Sequence, residues 1–166
     1  MKQIFLCLCI CSSNFLSGQS ISITKETTDK LVKYADSIFL SQHKSFEIKR
    51  SASKAKMITE KWEYLRTAKG LLCFTINYSL DSTDFWKVYY LDKGELVYAK
   101  EGERMNFPSF KDFIGWAGSF YFSKGKLIDF ITLGHGKSEV GDWDPEKDTF
   151  KMFKRRYKEY LAEVKK

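Results

Sequence analysis

The clearest pattern along the chain is a change of hydrophobic period. Between Thr24 and Gln42 the residues Leu31, Ala35, Ile38 and Phe39 recur at i, i+4, i+7 and i+8, with Val32 beside them, which predicts an amphipathic helix. Thr24 is expected to cap it, and Glu26 sits in the first turn, where the helix dipole favours a negative charge. Residues 45–60 carry little periodicity. Phe46 and Ile48 alternate like an edge strand, and Ser51-Ala52-Ser53-Lys54 reads as a loop.

From Trp62 onward the period is two. Leu72, Phe74, Ile76, Tyr78 and Leu80 are expected on one strand face, with Cys73, Thr75, Asn77 and Ser79 on the other. Trp62 to Arg66 can pair with this strand across Thr67-Ala68-Lys69-Gly70. A near-repeat follows: Tyr90-Leu91-Asp92-Lys93-Gly94-Glu95-Leu96-Val97 and Tyr121-Phe122-Ser123-Lys124-Gly125-Lys126-Leu127-Ile128. In each copy Asp or Ser opens the turn through its side chain, and Gly supplies the positive φ of a tight hairpin. Gly70 marks a degenerate first copy.

The central strands are apolar on both faces. Phe85, Tyr89 and Leu91 oppose Trp86, Val88 and Tyr90, and Leu127, Ile131 and Leu133 oppose Ile128 and Phe130. A sheet with one wet face would show a polar residue at every second position, so both faces need cover. Asp144-Pro145-Glu146 starts a second helix, with Asp as cap and Pro at the first helical position. Its apolar stripe is Phe150, Phe153, Tyr157 and Leu161, with Tyr160 and Val164 nearby. Lys147, Lys151, Lys154, Arg155 and Lys158 form a solvated basic side. The fold expected is α+β: an antiparallel meander of about six strands, built of repeated hairpins and packed with an N-terminal and a C-terminal helix.

The first residues change the picture of where the protein works. Met1-Lys2-Gln3 is cationic, Ile4 to Ile10 is apolar, and Phe15-Leu16-Ser17-Gly18 ends on small residues, the layout of a secretory signal peptide. The expected cut falls at 18–20, leaving residues 19–166 as a single α+β domain that is secreted or periplasmic. The apolar run is shorter than the roughly 20 residues of a membrane-spanning helix, so no transmembrane anchor is expected. Cys7, Cys9 and Cys11 leave with the leader, and neither Cys9 nor Cys11 follows the small residue that lipidation requires. Cys73 then stands alone and forms no internal disulfide.

Aromatic residues make up 16% of the chain, a share that suits strands and large buried contacts. The formal net charge of +7 falls by one with Lys2. Its lysines are spread along the chain, so it reads as a soluble surface with at most a weak attraction for anionic surfaces. Nucleic acid does not suit an exported protein.

The signal peptide, the N-terminal helix, the hairpins at Tyr89 to Val97 and Phe120 to Ile128, and the lysine-rich last helix resemble a group of small uncharacterised secreted proteins of Bacteroidetes-type bacteria. A looser similarity runs from Trp62 to Tyr160. The resemblance implies this fold and an export route, and it carries no active site to transfer.

Catalytic signatures are lacking. Neither His43 nor His135 accompanies a nucleophile motif, and Gly134-His135-Gly136 lacks the spacing of a phosphate-binding loop. His135, Glu139, Asp142 and Asp144 are metal-binding residue types at a spacing that fits no metal motif. No cofactor and no metal are implied, and Cys73 reads as a small buried filler. Trp62, Trp86, Trp116 and Trp143 are flat rings that serve a core or stack on sugars. The segment Phe107 to Trp116 is expected either to cap the core as a short helix, the preferred reading, or to expose a binding patch with Phe110 and Trp116 as anchors. The function expected is that of an exported, non-enzymatic binding protein of the cell envelope, its partner an envelope protein or glycan. The alternative is a small envelope hydrolase, which would need carboxylates converging with His135 in a polar pocket.

Overall fold

The structure is a computed structural model that describes the backbone of residues 8–107, 110–139 and 141–165, and the side chains of 24–106, 115–139 and 141–165. Helix α1 (Leu8–Gln42) leads into strands β1 (Lys44–Ser53), β2 (Lys56–Thr67), β3 (Gly70–Leu80), β4 (Thr83–Asp92), β5 (Glu95–Phe107), β6 (Phe110–Ser123) and β7 (Lys126–Gly134). A short 3-10 turn (Lys137–Glu139) precedes helix α2 (Pro145–Val164). The strands pair antiparallel in sequential order, a seven-stranded meander in one sheet. This is the expected α+β architecture with one strand more than the six anticipated. The added strand is β1, which takes up part of the segment expected to be a loop: Ser51 pairs with Met57 and Ser53 with Lys56.

Two other expectations change, and one falls outside the described residues. Thr24 lies inside α1 and not at its start; no proline interrupts the chain between Leu8 and Gln42, so nothing there stops helix propagation. The expected leader and its cut at 18–20 fall on residues whose side chains are outside the described ones. Finally, the described residues of the segment, Phe107 and 110–116, are strand and not a short helix, with Met105 opposite Phe113 and Phe107 opposite Phe110.

The positive φ expected of the turn glycines holds. Lys93 (φ 51°) and Gly94 (φ 86°) share a left-handed pair of conformations with Lys124 (φ 52°) and Gly125 (φ 77°), as a two-residue type I′ hairpin requires. Both hairpins slip register just inside the turn, between Tyr90 and Leu91 and between Tyr121 and Phe122, and the β2–β3 hairpin slips at the same place, between Leu65 and Arg66. Each slip is a one-residue bulge that breaks the strict alternation of faces. Leu72 therefore packs with Cys73, and not with Phe74 as alternation predicts; Val97 likewise shares a face with Tyr98.

The two helices cover opposite faces. Phe153 and Tyr160 of α2 pack on Trp62, Phe74, Ile76, Tyr89, Leu91, Ala99, Trp116, Phe120 and Phe122. Val32 and Ala35 of α1 pack on Leu65, Cys73, Tyr90 and Tyr98. Two hydroxyls pin α1 further: Tyr90 donates to Asp36 at 2.7 Å and Tyr121 to Asp29 at 3.0 Å. Asp144 caps α2 by accepting from the Lys147 N–H at 2.9 Å. The buried stripe of α2 is Thr149, Phe153, Arg156 and Tyr160, whereas Leu161, expected on the stripe, is 39% exposed.

Candidate functional site

The described side chains of α1 reach only part of its face of the sheet. Its partners Leu65, Cys73, Tyr90 and Tyr98 lie near the β2–β3 and β4–β5 turns. Farther along the same strands, one cross-strand row reads Glu47, Lys61, Asn77, Trp86, Gly102, Ala117 and Leu133, from β1 to β7. Next to it, Lys49 opposes Thr59, and Ser79 opposes Asp84, which in turn opposes Arg104. Directly opposed residues of antiparallel strands project to one face, so these residues form a surface beyond α1.

Trp86 is the large ring of this surface, and it is only partly buried. A Cβ placed on Gly102 would stand 2.3 Å from Cζ2 of the indole, so the ring lies directly on the β5 backbone. Only glycine permits that approach. Around it a shallow cleft of about 530 Å³ is lined by Thr59, Lys61, Asn77, Ser79, Asp84 and Arg104. The Asp84 carboxylate accepts from Ser79 at 2.5 Å and Asn106 at 2.8 Å, and these bonds, with the Arg104 charge, hold it below the ordinary carboxylate range. A flat apolar ring is thus bordered by amide, hydroxyl, carboxylate and cationic groups.

The α2 face carries charge where burial would disfavour it. Glu60 is 1% exposed and bonds Arg50, Arg156 and the Trp62 indole N–H. Lys87 and Glu101 form a second buried pair at 2.6 Å, with Lys137 on the other Glu101 oxygen at 3.1 Å. Burial lowers the Lys87 pKa despite the attraction of Glu101. Burial alone would raise the Glu101 carboxyl, but Lys87 and Lys137 together outweigh it and keep it below its usual range. These ions have a signal in sequence: Lys87 sits between Phe85 and Tyr89, and Arg156 between Phe153 and Tyr160, each on an apolar stripe.

Trp116 is 2% exposed. Its ring meets Trp143 edge-on at 5.9 Å, lies beneath Lys137, and donates from Nε1 to Ser138 at 3.3 Å. It is a core ring in this structure and presents no surface. Phe110 belongs to β6, and its side chain is outside the described residues, so the two expected anchors are not seen joined in a patch.

His135 is exposed, pairs with Glu139 at 2.5 Å, and lines neither the Trp86 cleft nor the cleft beside Glu101. His43 stacks on Phe39 at the end of α1. Asp144 is occupied as a cap. Among the described residues no group of three or more His, Cys, Asp or Glu side chains is placed to hold a metal ion, and no helix is long and apolar enough to cross a membrane. Cys73 is buried against α1, and burial pushes its thiol up to about 12.

Compared with known families, curated proteins and solved structures, the chain matches no family model, no curated protein and no solved structure. The resemblance to secreted Bacteroidetes-type proteins therefore rests on the residues alone.

Proposed function

We propose that this chain is an exported, non-enzymatic binding protein of the bacterial cell envelope, and that it binds glycan on the open part of the sheet. The observation that supports this reading is the partly buried Trp86 ring packed against Gly102 within a polar cross-strand surface. The hydroxyl groups of a sugar leave its C–H faces apolar, so one face stacks on an indole while the rim bonds to amide, carboxylate and guanidinium groups. Asn77, Asp84 and Arg104 supply those three groups beside the ring. The export half of the proposal rests on the leader-like residues 1–18.

Affinity electrophoresis through gels containing cell-envelope polysaccharides tests the binding half. The chain should be retarded by at least one polysaccharide, Trp86→Ala should run unretarded with its fold retained by circular dichroism, and Trp86→Phe should keep part of the effect. Retardation unchanged in Trp86→Ala, or none with any polysaccharide, overturns it. Intact mass of the exported form tests the other half: a start between Gln19 and Ile21 is expected, and a retained Met1 or a lipid on Cys9 or Cys11 rejects it.

A further inference from the structure

We propose a second ligand site, for a small organic anion with a flat apolar body, in the cleft where α2 meets β5 and the loop carrying Lys137 and Trp143. It is separate from the glycan surface, being on the opposite face of the sheet. The cleft has a volume of about 440 Å³ and is lined by Glu101, Lys137, Trp143, Lys151, Met152 and Arg155. That volume falls within the roughly 300–1,000 Å³ of ordinary small-molecule sites.

The charges of the cleft do not cancel. Glu101 is already neutralised by Lys87 from within the sheet, so Lys137 brings surplus positive charge to the cleft. Lys151 and Arg155 add two more cations one helical turn apart on α2. Like charges at i, i+4 repel, and no carboxylate pairs with either among the described residues. Asp148, the remaining acid of the lining, has a carboxylate oxygen 3.3 Å from the Asp144 N–H at the start of α2, from which it accepts. An anion between Lys137, Lys151 and Arg155 would relieve the repulsion. The planar guanidinium of Arg155 suits the paired oxygens of a carboxylate or phosphate.

The apolar half of the cleft sets the rest of the ligand. Trp143 stands edge-on to Trp116, Phe120 and Phe130, with centroids 5.9, 6.2 and 6.2 Å away, so its ring is held from behind. Its Nε1 is buried and has no acceptor among the described residues. A buried donor without an acceptor is uncommon in folded proteins, because its lost hydration goes uncompensated. A flat apolar ligand body against Trp143 and Met152 supplies the apolar contact of this half of the cleft.

The test follows the Trp143 indole N–H resonance of the 15N-labelled chain, identified through Trp143→Phe, on titration with phenyl phosphate, benzoate, inorganic phosphate and neutral benzyl alcohol. Saturable shifts with the two aromatic anions are expected, weakened at least tenfold in Lys151→Gln/Arg155→Gln and on raising the salt. Both substituted residues are exposed, so the variant should fold, and an unchanged melting curve verifies this. Lys154→Gln, whose ammonium lies over Phe150, should bind as the parent does, and so should Trp86→Ala, which separates this site from the glycan surface. The stronger of phenyl phosphate and benzoate identifies the head group. An equal response to benzyl alcohol would make the cleft an apolar crevice only. A response to inorganic phosphate alone, no saturable shift, or an affinity untouched in the double variant would also overturn the proposal.

Discussion

Arg156 on α2 donates from Nη2 to Oε1 of Glu60 on β2 at 2.7 Å, inside a layer where Glu60 is 1% exposed. Around this pair Arg50 bonds both Glu60 and Glu159 at 2.7 Å, and the Arg156 guanidinium lies over the Trp62 ring. Two carboxylates and two guanidiniums thus pair with one another, the Arg156 Nε alone among their nitrogens being buried without a partner, and link α2 to an otherwise aromatic face.

Removing one partner of such a pair leaves a buried charge uncompensated. Glu60→Leu should lower the unfolding free energy by about 3–5 kcal/mol in urea titrations. The double variant Glu60→Leu/Arg156→Met should lose less than Glu60→Leu alone, since no charge then remains stranded on α2. A double variant less stable than the single one would reject this account.

The two hairpin glycines should respond unequally. Gly94→Val and Gly125→Val each force a β-branched residue to positive φ and should cost about 1 kcal/mol or more. Gly125→Val should cost more, because its Cβ would also stand 3.2 Å from Phe150, whereas Gly94 is open to within 4.0 Å of Tyr157. Thermal melts rank the two, and equal curves would show that Phe150 moves aside freely.

Trp116→Ala should behave as a core truncation, lowering stability by about 3–5 kcal/mol and the melting temperature sharply. Because Trp116 backs both Lys137 and Trp143, the variant should also shift the Trp143 indole resonance before any ligand is added. An unchanged melt would mean that the ring is not part of the core.

His135 should titrate above its ordinary 6.5, held up by its hydrogen bond to Glu139 and by the charge of that carboxylate. A folded-state pKa raised in this way stabilises the fold fully below the unfolded value, and the contribution disappears as pH rises through the raised one. NMR titration of the ring in the parent and in Glu139→Gln measures the shift, which should vanish in the variant.

The site was less legible than the fold for a physical reason visible in particular residues. Trp86 and Gly102 are sixteen positions apart, and each is an ordinary strand residue by local pattern; the platform exists because β4 and β5 pair with these two directly opposed. Lys87 and Glu101 meet through the same pairing one residue away. Trp116 could be read as anchor or core, because alternation names a face and does not say how far a helix covers it.

The sequence by itself determined what is local. Period-two alternation specifies strands, Lys-Gly specifies the tight turns at Gly94 and Gly125, Asp144-Pro145 specifies the start of α2, and two apolar faces demand two covers. These depend on residues a few positions apart, whose geometry the backbone restricts directly. Tertiary structure alone decided the register, the two bulges that move Leu72 and Val97 to the α1 face, the reach of α1, and the meeting of Arg156 with Glu60. Those arise from the packing of distant segments, where a one-residue slip reassigns a whole face and no local spacing records it.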